Sequence, residues 1–407
     1  MDLLDLPGQL MEAYVIDYLN FAIRWLHMIA GVAWIGASLY FVWLDSSLLP
    51  PKDKPSQDLG IGGEVWALHG GGFYRAQKFS VAPPELPHPL HWFKWEAYTT
   101  WLSGFALLVL MYYLQADIYL IDKSVMDLTP VAAVAAGLGC LAITWIIYDL
   151  MCRSSLGENE PILAAIMFVL LGLLAYGLTH MFSGRGAFIH FGAVIGTIMV
   201  ANVLFVIMPG QREMVKAKVE GRTVDPKYGL MGKQRSVHNT YFTLPVLFVM
   251  ISNHYAGFTN HKHAWAILMA ISLAGALIRL YSVLSHRGVK RHALWIGGYG
   301  ILIALFIALF PKPTPQSSAG QVKFADVQRV IEAKCASCHA ARPSFAGFAA
   351  PPKNVLLESP DQIKTHAQAI YQQTVVTRAM PIGNLTQITG DERALIATWF
   401  SQGAKVR

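Results

Sequence analysis

Cys335-Ala336-Ser337-Cys338-His339 places two thiols and an imidazole in one short run. This is the spacing with which a chain attaches haem through two thioether bonds and turns the adjacent His towards iron. A C-x-x-C pair alone also serves as a redox dithiol or half of a zinc site, so the flanking residues decide. An apolar helical stretch ends at Lys334, Met380-Pro381 follows at a spacing suited to a sixth ligand, and Glu392 to Phe400 reads as a closing helix. Together these point to covalent haem c, with His339 and Met380 as its axial pair.

A second set of histidines lies in apolar surroundings, where an ionisable group is costly and is a functional candidate by default. Helical spacing puts Arg24, His27 and Gly31 on one face. That trio suits haem b, with His27 on iron, Gly31 admitting the macrocycle and Arg24 near a propionate. The plainer alternative is a His27 hydrogen bond between helices, with Arg24 snorkelling outward. His180 and His190 bracket a short turn, His254 ends an apolar stretch and His263 begins the next. Histidines at similar depth on different helices hold haem b in bundles; helix ends in wet headgroups are the competing explanation. His261 reads as a loop residue.

A third set lies on the opposite side of the chain's apolar stretches. The long segment 45–96 carries His69, His91, Lys94 and Glu96, and Lys233 to Tyr241 contains His238. Basic, aromatic and amide groups together suit a planar anion, although the same residues also serve as positive anchors beside an aromatic belt. Ser236 or Asn239 is expected to cap the helix that follows. Asp149 and Arg279, both near inner helix ends, are expected to neutralise each other. Cys140 and Cys152 read as unpaired packing residues.

The elements that must position these groups are membrane helices. The 407 residues are 54% hydrophobic and 14% charged, a balance that a water-soluble globule rarely shows. Eight apolar stretches, near 15–44, 97–116, 130–150, 161–181, 188–208, 241–257, 264–284 and 293–311, are long enough to cross a bilayer. The expected fold is all-α: a polytopic membrane bundle of about eight transmembrane helices over 1–311, then a class I-like cytochrome c domain over 321–407. Between them, 312–320 is a Pro/Ser linker. Asp2 and Asp5 stand where a cleavable signal has a basic region.

Haem c is attached outside the bacterial cytoplasm, so the C-terminal domain is expected in the periplasm and the chain in the inner membrane. The charges agree. Most Lys and Arg of the bundle fall in the loops that then face the cytoplasm, and the short outer loops hold only Lys123, Arg185 and Lys262. The net charge of +7 therefore reflects membrane topology and lipid contact, and implies no nucleic acid.

The chain resembles the bacterial membrane-bound urate hydroxylases, urate oxidases with a C-terminal cytochrome c domain. The likeness is carried by Arg24 to Gly36, Tyr40 to Leu48, His91 to Phe105, Asn202 to Pro209, Ser236 to Phe248 and the Cys335–His339 and Met380-Pro381 signatures. It implies oxidation of urate to 5-hydroxyisourate, with electrons passed through haem to a respiratory acceptor and not directly to oxygen. It also places urate contacts or the base for water among His69, His91, Lys94, Glu96 and His238, on the side where positive loops attract the anion. Two rivals use the same haem wiring: a reductase fed by quinol or a porphyrinogen, and a non-catalytic haem subunit of an electron-transfer complex.

Overall fold

The computed structural model describes residues 6–310, 321–345, 348 and 350–406; the expected linker 312–320 lies outside them. The molecule is mostly helical. In the bundle, α1 spans Leu6–Ser47, α2 Trp95–Leu108, α3 Pro130–Arg153, α4 Glu160–Thr179 and α5 Gly184–Asn202. They are followed by α6 (Met208–Val219), α7 (Pro226–Ser252), α8 (Ala264–His286) and α9 (His292–Ala308). Among the described residues, five stretches are long and apolar enough to cross a membrane: Tyr14–Ser47, Pro130–Arg153, Glu160–Thr179, Gly184–Val219 and Ala264–His286; α9 is a shorter apolar helix.

Local chemistry sets the helix starts. The Thr129 hydroxyl, the Asn159 amide oxygen and the Asp225 carboxylate accept from backbone N–H groups of the first turns of α3, α4 and α7. Each cap is followed within two residues by a proline whose missing N–H is no loss there. Because Asp225 starts α7, Ser236 and Asn239 lie inside that helix and cap nothing, contrary to expectation. The amphipathic signal there is interrupted by polar side chains that turn out to face other helices.

Helix α5 is the axle of the bundle. Phe188, Phe191, Val194 and Ile198 are completely buried, as befits a helix apolar on all sides. Leu108, Leu141, Leu171 and Leu268 close around it from α2, α3, α4 and α8. Both α2 and α5 pass into a π-helical turn, at Val109–Tyr113 and Val203–Ile207. The first of these turns both Tyr112 and Tyr113 towards the core.

The 45–96 segment departs from the all-α expectation. Strands β1 (Ile61–His69) and β2 (Gly72–Phe79) pair antiparallel across Gly70-Gly71. Both glycines have positive φ, 57° and 81°, the backbone that a two-residue hairpin turn needs and that side chains disfavour. The signal was present in the sequence as a Gly-Gly between alternating aromatic and polar residues.

The C-terminal unit has its own core. α10 (Phe324–Lys334), the short α11 (Ala336–His339) and α12 (Gly390–Ser401) close around Ile331, Ile363, Ile370, Ile396 and Trp399. The Thr389 hydroxyl and the Glu392 carboxylate form a reciprocal capping box at the start of α12. Trp399 is 2% exposed and donates its indole N–H to the Lys405 carbonyl at 2.9 Å. Trp399→Ala is expected to destabilise this unit by about 3–5 kcal/mol. Denaturant unfolding of the full chain should then show an early C-terminal transition and an unmoved bundle transition.

Candidate functional site

A buried polar cluster lies where the C-terminal ends of α3 and α5 meet the start of α4 and the middle of α7. Arg235 is 1% exposed and its guanidinium donates to Asp149 Oδ1 at 2.7 Å and to Asn202 Oδ1 at 3.2 Å. Its plane also covers the Tyr148 ring at 5.0 Å. Asp149 takes a second donor from Arg153 at 2.7 Å. The Asn202 amide donates both to the Tyr148 hydroxyl at 3.1 Å and to Asn239 Oδ1 at 2.9 Å, and Asn239 donates to the Met199 carbonyl at 3.0 Å. Every group in this core has a partner, as burial demands.

His238 joins that core to the surface. The Tyr148 hydroxyl lies 2.8 Å from its Nδ1, and its Nε2 lies 2.8 Å from Glu160 Oε2. A carboxylate only accepts, so Nε2 carries the hydrogen and Nδ1 receives the tyrosine proton. Gln234 donates to the other Glu160 oxygen at 2.8 Å and holds the carboxylate in place.

The other anion-site candidates are not brought to this cluster by any hydrogen bond among the described residues. His69 stands exposed at the end of β1, and His91 is exposed with its ring edge-on to Phe93. Lys94 precedes α2 with its ammonium over the Trp95 ring, and Glu96 is in the first turn of α2. The Asp149–Arg279 pairing is also overturned: Asp149 belongs to Arg235 and Arg153. Arg279 is 7% exposed, and its Nε and Nη2 have no acceptor among the described residues. Sequence position placed both charges near inner helix ends, but helix rotation selected the partner.

The haem candidates follow a different tautomer rule. His27 faces the Thr100 carbonyl through Nδ1 at 3.0 Å, so Nδ1 donates and Nε2 keeps its lone pair. A Cβ on Gly104 would lie 2.8 Å from the His27 ring, whereas Gly31 packs on Thr100. The glycine that admits the imidazole is therefore on α2, not on the histidine's own helix. Arg24 is exposed and donates twice to Asn20. His190 is completely buried; Nδ1 donates to the Gly186 carbonyl at 2.8 Å and Nε2 accepts from the Tyr113 hydroxyl at 3.2 Å. Gly137 closes over that nitrogen. His180 is exposed, stacked on Tyr176, and donates to the Tyr176 carbonyl; His254 is exposed just beyond α7.

In the C-terminal unit, Cys335 closes α10, and the amides of Cys338 and His339 both donate to its carbonyl. Both thiols are free. Burial pushes the Cys335 thiol up to about 12 and raises that of Cys338, the reverse of a reactive redox dithiol, which needs a depressed thiol. His339 donates Nδ1–H to the Val355 carbonyl at 3.0 Å, which turns Nε2 away with its lone pair free. The Met380 carbonyl accepts from Arg393 at 3.0 Å. Met380 lines a cavity of about 630 Å³ between this unit and the end of the bundle that carries His180, with Asp122, Arg185 and Asn260. Asn260 donates to the Arg378 carbonyl at 3.0 Å across that junction. Cys140 and Cys152 are free, as expected.

A family model described as urate oxidase, N-terminal, matches residues 13–310, which takes in the bundle and stops before the C-terminal unit. No curated protein and no solved structure matches the chain.

Removing Arg235 leaves Asp149 with only the more exposed Arg153 and strips Asn202 Oδ1 of its buried donor. Arg235→Leu is therefore expected to lower stability by about 3–5 kcal/mol, read as an earlier thermal transition in detergent. Lys54→Ala breaks only an exposed pair with Asp58 and should leave that transition in place.

Proposed function

The chain therefore belongs to the urate oxidase N-terminal family, and from that premise we propose that it hydroxylates urate to 5-hydroxyisourate in the bacterial inner membrane. In this reading the two electrons leave through haem to a respiratory acceptor and not directly to oxygen. The observation that carries it is the polar cluster, which lies wholly within the matched region. Guanidinium, amide, phenol and imidazole groups converge there at the basic end of an apolar bundle. Its groups are paired with one another, so the set forms a polar wall against which a planar anion can lie, and the donors for that anion come from beside it.

Arg279 offers the anion a buried guanidinium with unclaimed donors. His69 and His91 are exposed and Lys94 is half-buried, outside that cluster, and the Lys94 ammonium adds to the positive charge that draws the anion to this face. Glu96 settles at the start of α2, where the helix dipole favours its charge.

Cys335 and Cys338 would hold haem c by thioether bonds, with His339 and Met380 on its iron, and His27 would serve a haem b. The fit is carried by the donor sets: His27 and His339 each have Nδ1 tied to a carbonyl and Nε2 free, the arrangement that fixes a metal-binding imidazole. When bound, haem supplies one-electron acceptance. The C-terminal unit sits on the outer end of the bundle, beside His180. The polar cluster is at the other end of α4, about 30 Å away by helix rise. A one-electron carrier held between the two ends would span that length, and His27 is the residue best prepared to hold it.

Anaerobic purification of the full chain, a pyridine haemochrome spectrum and addition of urate test this directly. Separate b-type and c-type bands, both reduced by urate, are expected. A lone c-type band that ignores urate but is reduced by quinol would overturn the reading. Cys335→Ser with Cys338→Ser should remove covalently bound haem from denaturing gels. Arg279→Lys should raise KM for urate roughly 10- to 100-fold, the cost of a lost charge-assisted hydrogen-bond pair, with a smaller change in kcat.

A further inference from the structure

We propose that Tyr148, His238 and Glu160 form an outward proton path that removes the proton released when water adds to urate; this rests on the urate reading above. The inference comes from the direction of the hydrogen bonds. Asn202 donates to the Tyr148 oxygen at 3.1 Å, which leaves the tyrosine proton to point at His238 Nδ1, 2.8 Å away. His238 then donates Nε2–H to Glu160 at 2.8 Å. Every donor points from core to water.

Exposure rises along the same line. Asn202 is 0% and Tyr148 1% exposed, the His238 side chain is 11% exposed and the Glu160 side chain 53%. His238 also differs from His27, His180, His190 and His339, whose Nδ1 atoms donate to backbone carbonyls. A carbonyl pins one tautomer and cannot take the proton away. His238 instead has a phenol on one nitrogen and a carboxylate on the other, the two partners a relay needs. The charged and titratable groups that face it are Tyr148 and Cys152 from α3, Glu160 from α4, and Arg235 from its own helix.

The step balances. Urate monoanion and water give 5-hydroxyisourate, one proton and two electrons. The water oxygen bonds to C5 as one of its O–H bonds breaks, urate is oxidised, and two one-electron acceptors are reduced. Tyr148 takes up the released proton as its own passes to His238 Nδ1. His238 gives its Nε2 proton to Glu160, and Glu160 releases it to solvent.

The test uses the full chain in detergent with ferricyanide as electron acceptor, across a pH series in H₂O and D₂O. His238→Gln is expected to lower kcat about 100-fold or more with KM little changed, and to enlarge the solvent isotope effect. Imidazole added to His238→Gly should restore part of the rate. Glu160→Gln withdraws the carboxylate that stabilises the imidazolium, so the acidic limb of the rate profile should move to lower pH. A folded His238→Gln with unaltered kcat and pH profile overturns the relay. Should that variant fail to fold, an unmoved limb in Glu160→Gln, at the exposed end, overturns it equally. An unmodified chain that does not oxidise urate overturns the functional reading itself, and the relay with it.

Discussion

A charge taken out of water must find its counter-charge inside the protein, and in this bundle that constraint is concentrated on Arg235. Its guanidinium is bound by Asp149 from α3 and Asn202 from α5, and it lies flat on Tyr148. Asn202 and Asn239 extend the same network to the backbone of α5. Apolar packing around α5 tolerates small rotations of its neighbours, because dispersion is weakly directional. The hydrogen bonds do not. They set how far α3 and α7 turn about their axes, and so which side chains face one another at this end of the bundle.

The same rotation decides what each histidine is for. Imidazole chemistry is set less by residue type than by the acceptor that each nitrogen meets. Where Nδ1 meets a carbonyl, as at His27, His190 and His339, one tautomer is locked and Nε2 is presented as a base or ligand. Where Nε2 meets a carboxylate, as at His238, the opposite tautomer forms and the ring links two exchangeable protons. At His190 the free nitrogen is taken by Tyr113, which the π-helical turn after α2 aims inward. A ring of similar composition thus serves packing in one place and chemistry in another.

The division into two units follows from composition. The C-terminal unit is stabilised by aliphatic residues around Trp399 and by a reciprocal helix cap, and its contact with the bundle is a polar junction around Asn260 and Arg378. The family match ends where the bundle ends. Each unit therefore has its own core.

Much of this was legible in the chain. The C-x-x-C-H run, the helix before it and the helix closing the chain were visible as motif and periodicity, and the free state of Cys140 and Cys152 followed from their spacing in apolar surroundings. Most bundle helices were visible as apolar length, because burial in any apolar medium requires it regardless of neighbours; α6 and the first half of α7, which lie in the polar stretch between 208 and 241, were not. The hairpin was legible through Gly70-Gly71 but was obscured by the length of the loop around it. The partners of polar side chains were not legible. Asp149 chose Arg235 over Arg279, and His238 was drawn to Tyr148 and Glu160 and away from His69, His91, Lys94 and Glu96. Sequence determined which groups were present and on which helices, since helix formation depends on local residues. Tertiary structure alone decided which groups met, because a hydrogen bond depends on the rotation and depth of two helices together, and no single segment encodes both.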